Sequence, residues 1–355
     1  MTTTDNERPD SPPAFPETSV EQTPDGGFRR QRNYFPARFG WGDGQIPPEP
    51  GRYHLLGCPG CGWARRQRIV LRLLGIPDDA VPQEILDGRD QDGWVIDRVP
   101  GGVAERLGVD RLNALYRATD PAYQGRGTSP SVIDIETGRV VSNNYHTLSL
   151  DWETVWSPWH ADGAPDLYPV ALRQEIDLLN QQLFDDINNG TYKVIFATSQ
   201  GAAQAAKNVF LARLADLDFR LASRRYLFGD AITDSDVRLF QTLSSFDRGY
   251  RPGLIAKVGA APRVVDFPNL WAYARDLFAQ GFTDEVELRY LGLLPDASGE
   301  YRSGFQGSTD DLPTPAEHLE LWREPAGREA LVGGAPQYSG PGSGGSYELW
   351  RFARP

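Results

Sequence analysis

The chain has 355 residues, a net charge of −12 and 40% hydrophobic residues, which is enough apolar material for two domains of ordinary size. The acidic surplus argues against a nucleic-acid partner, because such proteins need basic groups to replace the counterions of the phosphates. No apolar run reaches the roughly 20 residues that span a bilayer. The first residues lack the apolar segment of a secretory signal, and two cysteines do not make a disulfide framework. We therefore expect a cytoplasmic protein that binds neither nucleic acid nor membrane.

Residues 1–32 are polar and rich in proline, and we expect a disordered tail there. The segment "RYHLL" is typical of a strand, and "WARRQRIVLRLLG" is typical of a helix that ends at Gly75. "GWVID" predicts a second strand, and "SPSVIDI" with "RVVSN" predicts a hairpin that turns at residues 136–138. This order of strand, helix, strand and hairpin predicts a thioredoxin-like α/β domain over residues 33–155.

The pattern becomes helical over residues 156–295. "YPVALRQEIDLLNQQLFDDINNG" has apolar residues at helical spacing and predicts a helix that ends at its Asn-Gly pair. A second long helix follows, and a capping box from Thr233 to Asp236 opens a third. A further helix is expected after Pro268. Together these segments predict an all-helical second domain.

The last part of the chain, residues 296–355, is rich in glycine, proline and serine. This composition predicts an extension that wraps on the surface. We expect it to be ordered only where Trp322 and Trp350 dock.

Cys58 and Cys61 stand in a C-x-x-C spacing just before the first helix. They could form a metal site, a disulfide, a redox pair with Cys58 as nucleophile, or a single nucleophile, Cys61, with a bystander. Zinc needs four ligands, and the two cysteines and four histidines scattered along the chain supply such a set poorly. Cys61 opens the helix, where free N–H groups and the helix dipole favour a thiolate, and Arg65 and Arg66 add positive charge nearby.

Many short segments, in order from about residue 50 to 290, resemble the Xi-class glutathione transferases, the glutathionyl-hydroquinone reductases. They are "GRYHL", "DPAYQGR", "VSNN", "DLYP", "LRQEIDLLN", "NNGTYK", "FATSQ", "YLFGDAITDSDVRLF", "FPNLWAY" and "RDLF". The resemblance implies a thioredoxin-like N-terminal domain followed by an all-helical glutathione-transferase C-terminal domain. It also implies a homodimer.

An ungapped alignment with the family pairs Cys61 with the family's catalytic cysteine. Cys58 would then be a resolving thiol or a bystander. Gly62 and Arg65 replace the family's proline and histidine. The implied reaction is thiol exchange, in which the Cys61 thiolate attacks the sulfur of a thiol–quinol conjugate and a second thiol resolves the mixed disulfide. No bound metal or cofactor is needed, and a low-molecular-weight thiol is the cosubstrate.

The implied thiol site contains Trp94, Arg126 and the pair Ser129–Pro130, whose peptide bond we expect to be cis. The family next has a Glu-Ser pair that binds the γ-glutamyl group, where this chain has Asn144 and Tyr145. An amide cannot supply the negative charge that pairs with an ammonium group. We therefore expect weak binding of glutathione and consider mycothiol, a sugar-linked cysteine, as an alternative cosubstrate.

The second substrate, a quinone-like or other aromatic molecule, is expected between the domains. The resemblance assigns Tyr192 and Tyr290 to binding its oxygen, and Tyr168 could line the same pocket. Ala203 stands where the family has an aromatic residue, which suggests an altered pocket. Two alternatives stay open, a transferase that conjugates a thiol to an electrophile and a noncatalytic thiol-binding protein.

Overall fold

The computed structural model describes residues 21–31, 33–301 and 307–331. Its strands are β1 (Glu21–Gln22), β2 (Phe28–Arg29), β3 (Tyr53–Gly57), β4 (Gln83–Asp90), β5 (Gly93–Ile96), β6 (Ser131–Asp134) and β7 (Arg139–Ser142). Its α-helices are α1 (Gly62–Leu74), α2 (Val103–Leu107), α3 (Leu112–Thr119), α4 (Leu148–Thr154), α5 (Arg173–Gln182), α6 (Gly190–Ile195), α7 (Gln200–Leu221), α8 (Asp234–Ser245), α9 (Arg251–Val258), α10 (Pro268–Ala279), α11 (Glu285–Tyr290) and α12 (Pro315–Arg323). Two π-helical segments, Leu183–Asn188 and Phe246–Tyr250, and three short 3₁₀ turns, Ser157–Trp159, Val170–Leu172 and Val264–Asp266, complete the list.

The N-terminal domain contains a mixed five-stranded sheet in the order β5-β4-β3-β6-β7. The predicted first strand, first helix and hairpin are confirmed, and Gly75 ends α1 in the left-handed conformation with φ of 62°. The segment "GWVID" was expected to follow the helix as the next strand. The structure instead places β4 there, parallel to β3, and β5 returns antiparallel to β4. Glycine and four charged residues in "QEILDGRD" give β4 no alternating pattern.

The alternation of side chains along β3 divides the core into two clusters. Tyr53 and Leu55 pack with α1 and the helical domain, whereas Leu56 and Cys58 join the opposite face with residues of α2 and α3. All five residues of β3 are buried. The loop that carries both cysteines therefore leaves the centre of a sheet covered on both sides.

The C-terminal domain is all-helical, and its predicted capping box is present, because the Asp236 carboxylate accepts a hydrogen bond from Thr233 N at 2.8 Å. The helix ends at the expected Asn-Gly pair, because the π-helical segment stops before Asn189, which is its C-cap. Gly190 then begins α6, and a Cβ on it would lie 3.2 Å from the Phe210 ring of α7. This glycine also lets two helices approach closely.

The predicted disordered tail is wrong for its last part, because β1 and β2 form an ordered hairpin. This hairpin is attached to the junction of α6 and α7, where Thr198 N donates to Gly26 O at 2.8 Å and Ser199 Oγ donates to Asp25 O at 2.7 Å. Polar composition alone did not reveal these long-range contacts. Residues 1–20 lie outside the described residues.

The C-terminal extension is anchored as expected at Trp322, which is buried against Trp271, Phe240 and Phe278. Trp350 lies outside the described residues. Across the ranges that the structure describes, none of the helices has the combined length and apolarity needed to cross a membrane.

Candidate active site

The two cysteines lie in one tight turn between β3 and α1, where Cys61 N donates to Cys58 O at 3.0 Å. They are not joined by a disulfide. Cys58 is 3% exposed, and its thiol donates to Tyr290 Oη at 3.5 Å. Burial raises the pKa of Cys58, so this thiol resists ionisation.

Cys61 is the N-cap residue of α1 and is partly exposed. Its first turn contains no acidic residue, and no side chain caps the N–H groups at the helix start. The Cys61 thiol lies 3.3 Å from Ser129 O. Of the two cysteines, Cys61 therefore has the environment of a reactive thiol.

The Ser129–Pro130 peptide bond is cis, as predicted. Ser129 Oγ accepts a hydrogen bond from Cys58 N at 2.9 Å, while its carbonyl faces the Cys61 sulfur. Backbone groups beside this bond thus lie next to Cys61, where the cysteinyl part of a thiol cosubstrate is expected.

Two tyrosines of the helical domain face Cys61. Tyr192 lies on α6, Tyr250 ends the second π-helical segment, and their hydroxyl oxygens are 3.5 Å apart. Burial is the largest cause that raises both pKa values, and negative charge on Cys61 raises them further. Both phenols therefore stay protonated and able to donate a hydrogen bond near neutral pH.

The structure also brings Tyr290 to the cysteine turn, because its ring packs directly on Gly60. A Cβ on Gly60 would lie 1.9 Å from the Tyr290 ring. The predicted Tyr192 and Tyr290 are thus both brought to the cysteine loop.

Trp94 and Arg126 lie on the sheet side of the cysteine loop. Trp94 and Cys61 both pack against the second core cluster, and the Arg89 guanidinium lies 5.1 Å from the Trp94 ring. Arg126 Nε is buried and has no hydrogen-bond partner among the described residues. Burial lowers the pKa of Arg126, and the charge of Arg89 lowers it further. Two neighbouring guanidinium groups suit a carboxylate ligand.

Asn144 and Tyr145 occupy the turn between β7 and α4. Asn144 Oδ1 accepts a hydrogen bond from Asn33 Nδ2 at 3.0 Å. The Tyr145 ring is 6% exposed and lies 4.6 Å from the Trp63 ring, centre to centre. Trp63 already covers this ring, which leaves little of it for stacking on a sugar.

This turn lies in positive surroundings. Burial lowers the pKa of His146 to about 3, and the charges of Arg66, Arg238 and Arg30 contribute. His146 is therefore neutral near pH 7. An ammonium group placed here would meet repulsion from the three arginines.

Tyr168 does not lie in the Cys61 site. It lines a separate cavity of about 530 Å³ with Arg38, His146 and Arg238, and its hydroxyl donates to Asp177 Oδ1 at 2.8 Å.

Two sequence departures meet at the start of α1. A Cβ on Gly62 would lie 1.9 Å from Gln241 Oε1 and 3.1 Å from Tyr250 Oη, so these side chains fill the space beside the glycine. Arg65 points to the helical domain, where its guanidinium donates to Ser244 and Ser245. Arg65 thus holds the two domains together.

Sequence reasoning missed Arg30, Tyr250 and Gln241 at this site. Tyr250 is the last residue of a π-helical segment, a distortion that is frequent at functional sites but has no simple sequence pattern. Arg30 lies in the segment predicted to be disordered. Among the residues that the structure describes, no group of three or more metal-binding side chains is present, and a zinc site at the two cysteines gains no support.

Comparison with known proteins identifies the family. Residues 200–276 match the C-terminal domain of glutathione S-transferases. The chain is 34% identical over 298 residues to glutathionyl-hydroquinone reductase YqjG of Escherichia coli, covering 82% of this chain and 87% of that protein. The chain belongs to the Xi-class glutathione transferases, the glutathionyl-hydroquinone reductase family. It is therefore an enzyme with a thioredoxin-like domain and the all-helical C-terminal domain of glutathione transferases.

Solved structures agree with this assignment to the Xi class. A glutathione transferase from Gordonia bronchialis is 37% identical, with a TM-score of 0.69 over 82% of this chain and 88% of that chain. The Xi-class transferase of Phanerochaete chrysosporium is 28% identical, with a TM-score of 0.68 over 81% and 99% of the two chains. The glutathione-bound structure of the Escherichia coli relative matches at 29% identity and a TM-score of 0.66, over 86% and 97%.

Proposed function

We propose that this Xi-class enzyme is a thiol-dependent reductase that cleaves conjugates of a low-molecular-weight thiol and a hydroquinone, with Cys61 as its nucleophile. The observation that carries the proposal is the position of Cys61. It is the N-cap of α1, its sulfur lies 3.3 Å from the carbonyl before the cis-proline, and its charge acts on two tyrosines of the helical domain, Tyr192 and Tyr250. The names of the Escherichia coli and Sphingobium chlorophenolicum relatives, both glutathionyl-hydroquinone reductases, support the same activity.

The reaction follows from these positions. The Cys61 thiolate attacks the sulfur of the conjugate, a sulfur–sulfur bond forms, and the bond from sulfur to the ring carbon breaks. The ring carbon has taken up a proton, so the electron pair of the broken bond restores the aromatic ring. Tyr192 and Tyr290 donate hydrogen bonds to the ring oxygen as it gains charge. A second thiol then attacks the mixed disulfide and frees Cys61.

Turnover tests this proposal. The enzyme is incubated with a thiol–hydroquinone conjugate, prepared with glutathione and in parallel with mycothiol, and with the matching free thiol, and the products are separated by chromatography. We expect free hydroquinone and oxidised thiol, with Cys61→Ser as the inactive control. Formation of a conjugate from a quinone and thiol, with no release of hydroquinone from the conjugate, would instead support a conjugating transferase. Binding of thiol without either reaction would support a noncatalytic protein.

The cosubstrate differs from glutathione in our proposal. The turn at Asn144 and Tyr145 has no carboxylate, and Arg30, Arg66 and Arg238 make its surroundings positive. A thiol without an ammonium group at this point, such as mycothiol, suits these surroundings better than glutathione. The free carboxylate of a thiol would suit Arg89 and Arg126 on the other side of Cys61.

We further propose a cytoplasmic homodimer. Most of the tryptophans that the structure describes are buried, and Trp41, 73% exposed, is the one with a largely accessible ring among them. Exposed apolar side chains such as Val170 and Phe219 remain available for burial between subunits. Light scattering at micromolar concentration is expected to give the mass of two chains, and the mass of one chain would exclude the dimer.

A further inference from the structure

The N-terminal hairpin of β1 and β2 reaches the candidate active site. Phe28 packs against Phe196 and Tyr192, with ring centres 5.5 Å and 6.4 Å apart. The residue that follows β2, Arg30, extends between the two domains. A segment far from the cysteines in sequence thus supplies side chains to the same site.

The Arg30 guanidinium is held in a fixed place by aromatic rings and one amide. Its central carbon lies 4.2 Å from the ring centre of Tyr192 and 4.9 Å from that of Trp63. Its Nε donates to Asn189 Oδ1 at 2.8 Å. These contacts come from α1 and α6, so the cation lies where the two domains meet.

One end of this guanidinium lacks a partner. Arg30 Nη2 is buried, and within residues 21–31, 33–301 and 307–331 it has no hydrogen-bond acceptor or carboxylate. The titratable groups around the site are Tyr145, Tyr192 and Cys61. Burial raises the pKa values of both tyrosines, the charge of Arg30 lowers them, and the charge of Cys61 raises them further. A side-chain hydrogen bond between Tyr192 and Arg30 also lowers the pKa of Tyr192, so this hydroxyl lies next to the guanidinium. A buried donor without an acceptor is costly, which indicates that a ligand supplies the acceptor.

We propose that Arg30 Nη2 binds the phenolate oxygen of the second substrate, beside Tyr192. This inference rests on the proposed function for its substrate. When the bond between sulfur and the ring carbon breaks, the electron pair moves through the ring to its oxygen, which becomes a phenolate and later takes a proton from water. A fixed guanidinium stabilises that negative oxygen more strongly than a neutral phenol does. Arg30 is thus a catalytic residue contributed by the N-terminal segment.

Two small probes test this role without turnover. The first is 4-nitrophenol, whose anion absorbs visible light, and the second is its methyl ether 4-nitroanisole, which has the same ring and nitro group but cannot ionise. We expect wild-type enzyme to bind 4-nitrophenolate and to lower the pH at which bound 4-nitrophenol ionises. Arg30→Gln should weaken phenolate binding by about tenfold or more, the size of one charged hydrogen bond, and leave 4-nitroanisole binding unchanged.

The control variants separate charge from packing. Arg30→Lys keeps the charge and should retain part of the preference for phenolate, while Arg29→Gln removes a charge from the same hairpin and should bind both probes as wild type does. Equal weakening of both probes by Arg30→Gln would show a purely structural role and overturn the proposal. Failure of wild type to bind 4-nitrophenolate would overturn it as well.

The probe-binding test of Arg30 and the turnover test of the proposed function can give different results. If wild type reduces a conjugate while Arg30→Gln binds both probes normally, the reductase proposal stands and this one fails. If the enzyme selects phenolate through Arg30 but does not release hydroquinone from a conjugate, the role of Arg30 is supported and the reductase proposal fails.

Discussion

The two cysteines have opposite environments although only two residues separate them. Cys58 is buried beneath the Tyr290 ring, and burial raises the pKa of its thiol. Cys61 lies at the start of α1 and is partly exposed. Because a thiolate is the attacking species, these surroundings assign nucleophilic attack to Cys61 and a packing role to Cys58.

Substitution of each cysteine by serine tests this assignment. Cys61→Ser should reduce thiol-dependent turnover by more than about a thousandfold, as loss of a nucleophile does. Cys58→Ser should keep turnover within about fivefold of wild type, because it changes one weak hydrogen bond to Tyr290. If Cys58→Ser is the inactive variant, Cys58 is the nucleophile and the alignment with the family is shifted.

At the scale of elements, the cysteine loop depends on a glycine that lets Tyr290 lie against it. Gly60→Ala would place a methyl group 1.9 Å from the Tyr290 ring, so the ring or the loop would have to move. We expect a loss of about 1–3 kcal/mol in the free energy of unfolding, measured by urea denaturation. In a Tyr290→Ala background, the same change should cost almost nothing, because the ring is gone.

Gly201→Ala is the matched control for that cycle, since a Cβ there meets no atom within 4 Å. It should leave stability unchanged or slightly raised, because alanine favours a helix. An equal loss of unfolding free energy for Gly60→Ala with and without the Tyr290 ring would contradict the packing of this ring on Gly60.

The turn between β7 and α4 can be tested by restoring the family's residues. Asn144→Glu combined with Tyr145→Ser should convert weak glutathione binding into clearly tighter binding in calorimetry, because a carboxylate offsets the positive surroundings and pairs with the ammonium group. The matched control, Asn144→Gln with Tyr145→Ser, opens the same space without charge. Tight binding of glutathione by wild type would contradict the prediction, as would equal gains from both double variants.

The elements that sequence could predict are those with local patterns. Three features have such a pattern: the apolar spacing of α1, its end at Gly75 and the capping box of α8. Each of these patterns is formed by residues only a few positions apart. The cis-proline and the positions of Cys61 and Tyr192 followed from a family resemblance. Arg30 and Gln241 could not be predicted, because their roles depend on contacts between segments more than 100 residues apart or on space left by Gly62.

At the scale of the whole molecule, the partly buried His146 and the buried His318 make stability depend on pH. Burial lowers the pKa of His146 to about 3 and that of His318 to about 4, and neighbouring arginine charges contribute. In the unfolded chain both would ionise near pH 6.5. The folded state therefore binds fewer protons than the unfolded state below that pH, and stability falls as the pH decreases from 6.5.

We expect His146→Gln to reduce this acid sensitivity. Between pH 6.5 and 5, one such histidine removes about 1–2 kcal/mol of unfolding free energy, and the variant should lack that share of the loss. Burial raises the pKa of Asp247 to about 6, and this carboxyl group therefore increases stability as the pH decreases. Its contribution is the same in wild type and variant and cancels in the comparison. Identical pH dependence of the urea midpoints of wild type and variant would contradict a partly buried, neutral His146.

The most direct test of the account is mass spectrometry of the enzyme after a single turnover. The enzyme is mixed with an equal amount of a thiol–hydroquinone conjugate, prepared with glutathione and in parallel with mycothiol, without free thiol, quenched with acid and digested. The proposed reaction predicts release of hydroquinone from at least one of the two conjugates and one moiety of that thiol, removable by a reducing agent, on the peptide that carries Cys61. The same treatment should leave Cys61→Ser unmodified. Release of hydroquinone from wild type with no adduct on Cys61 would contradict the central claim.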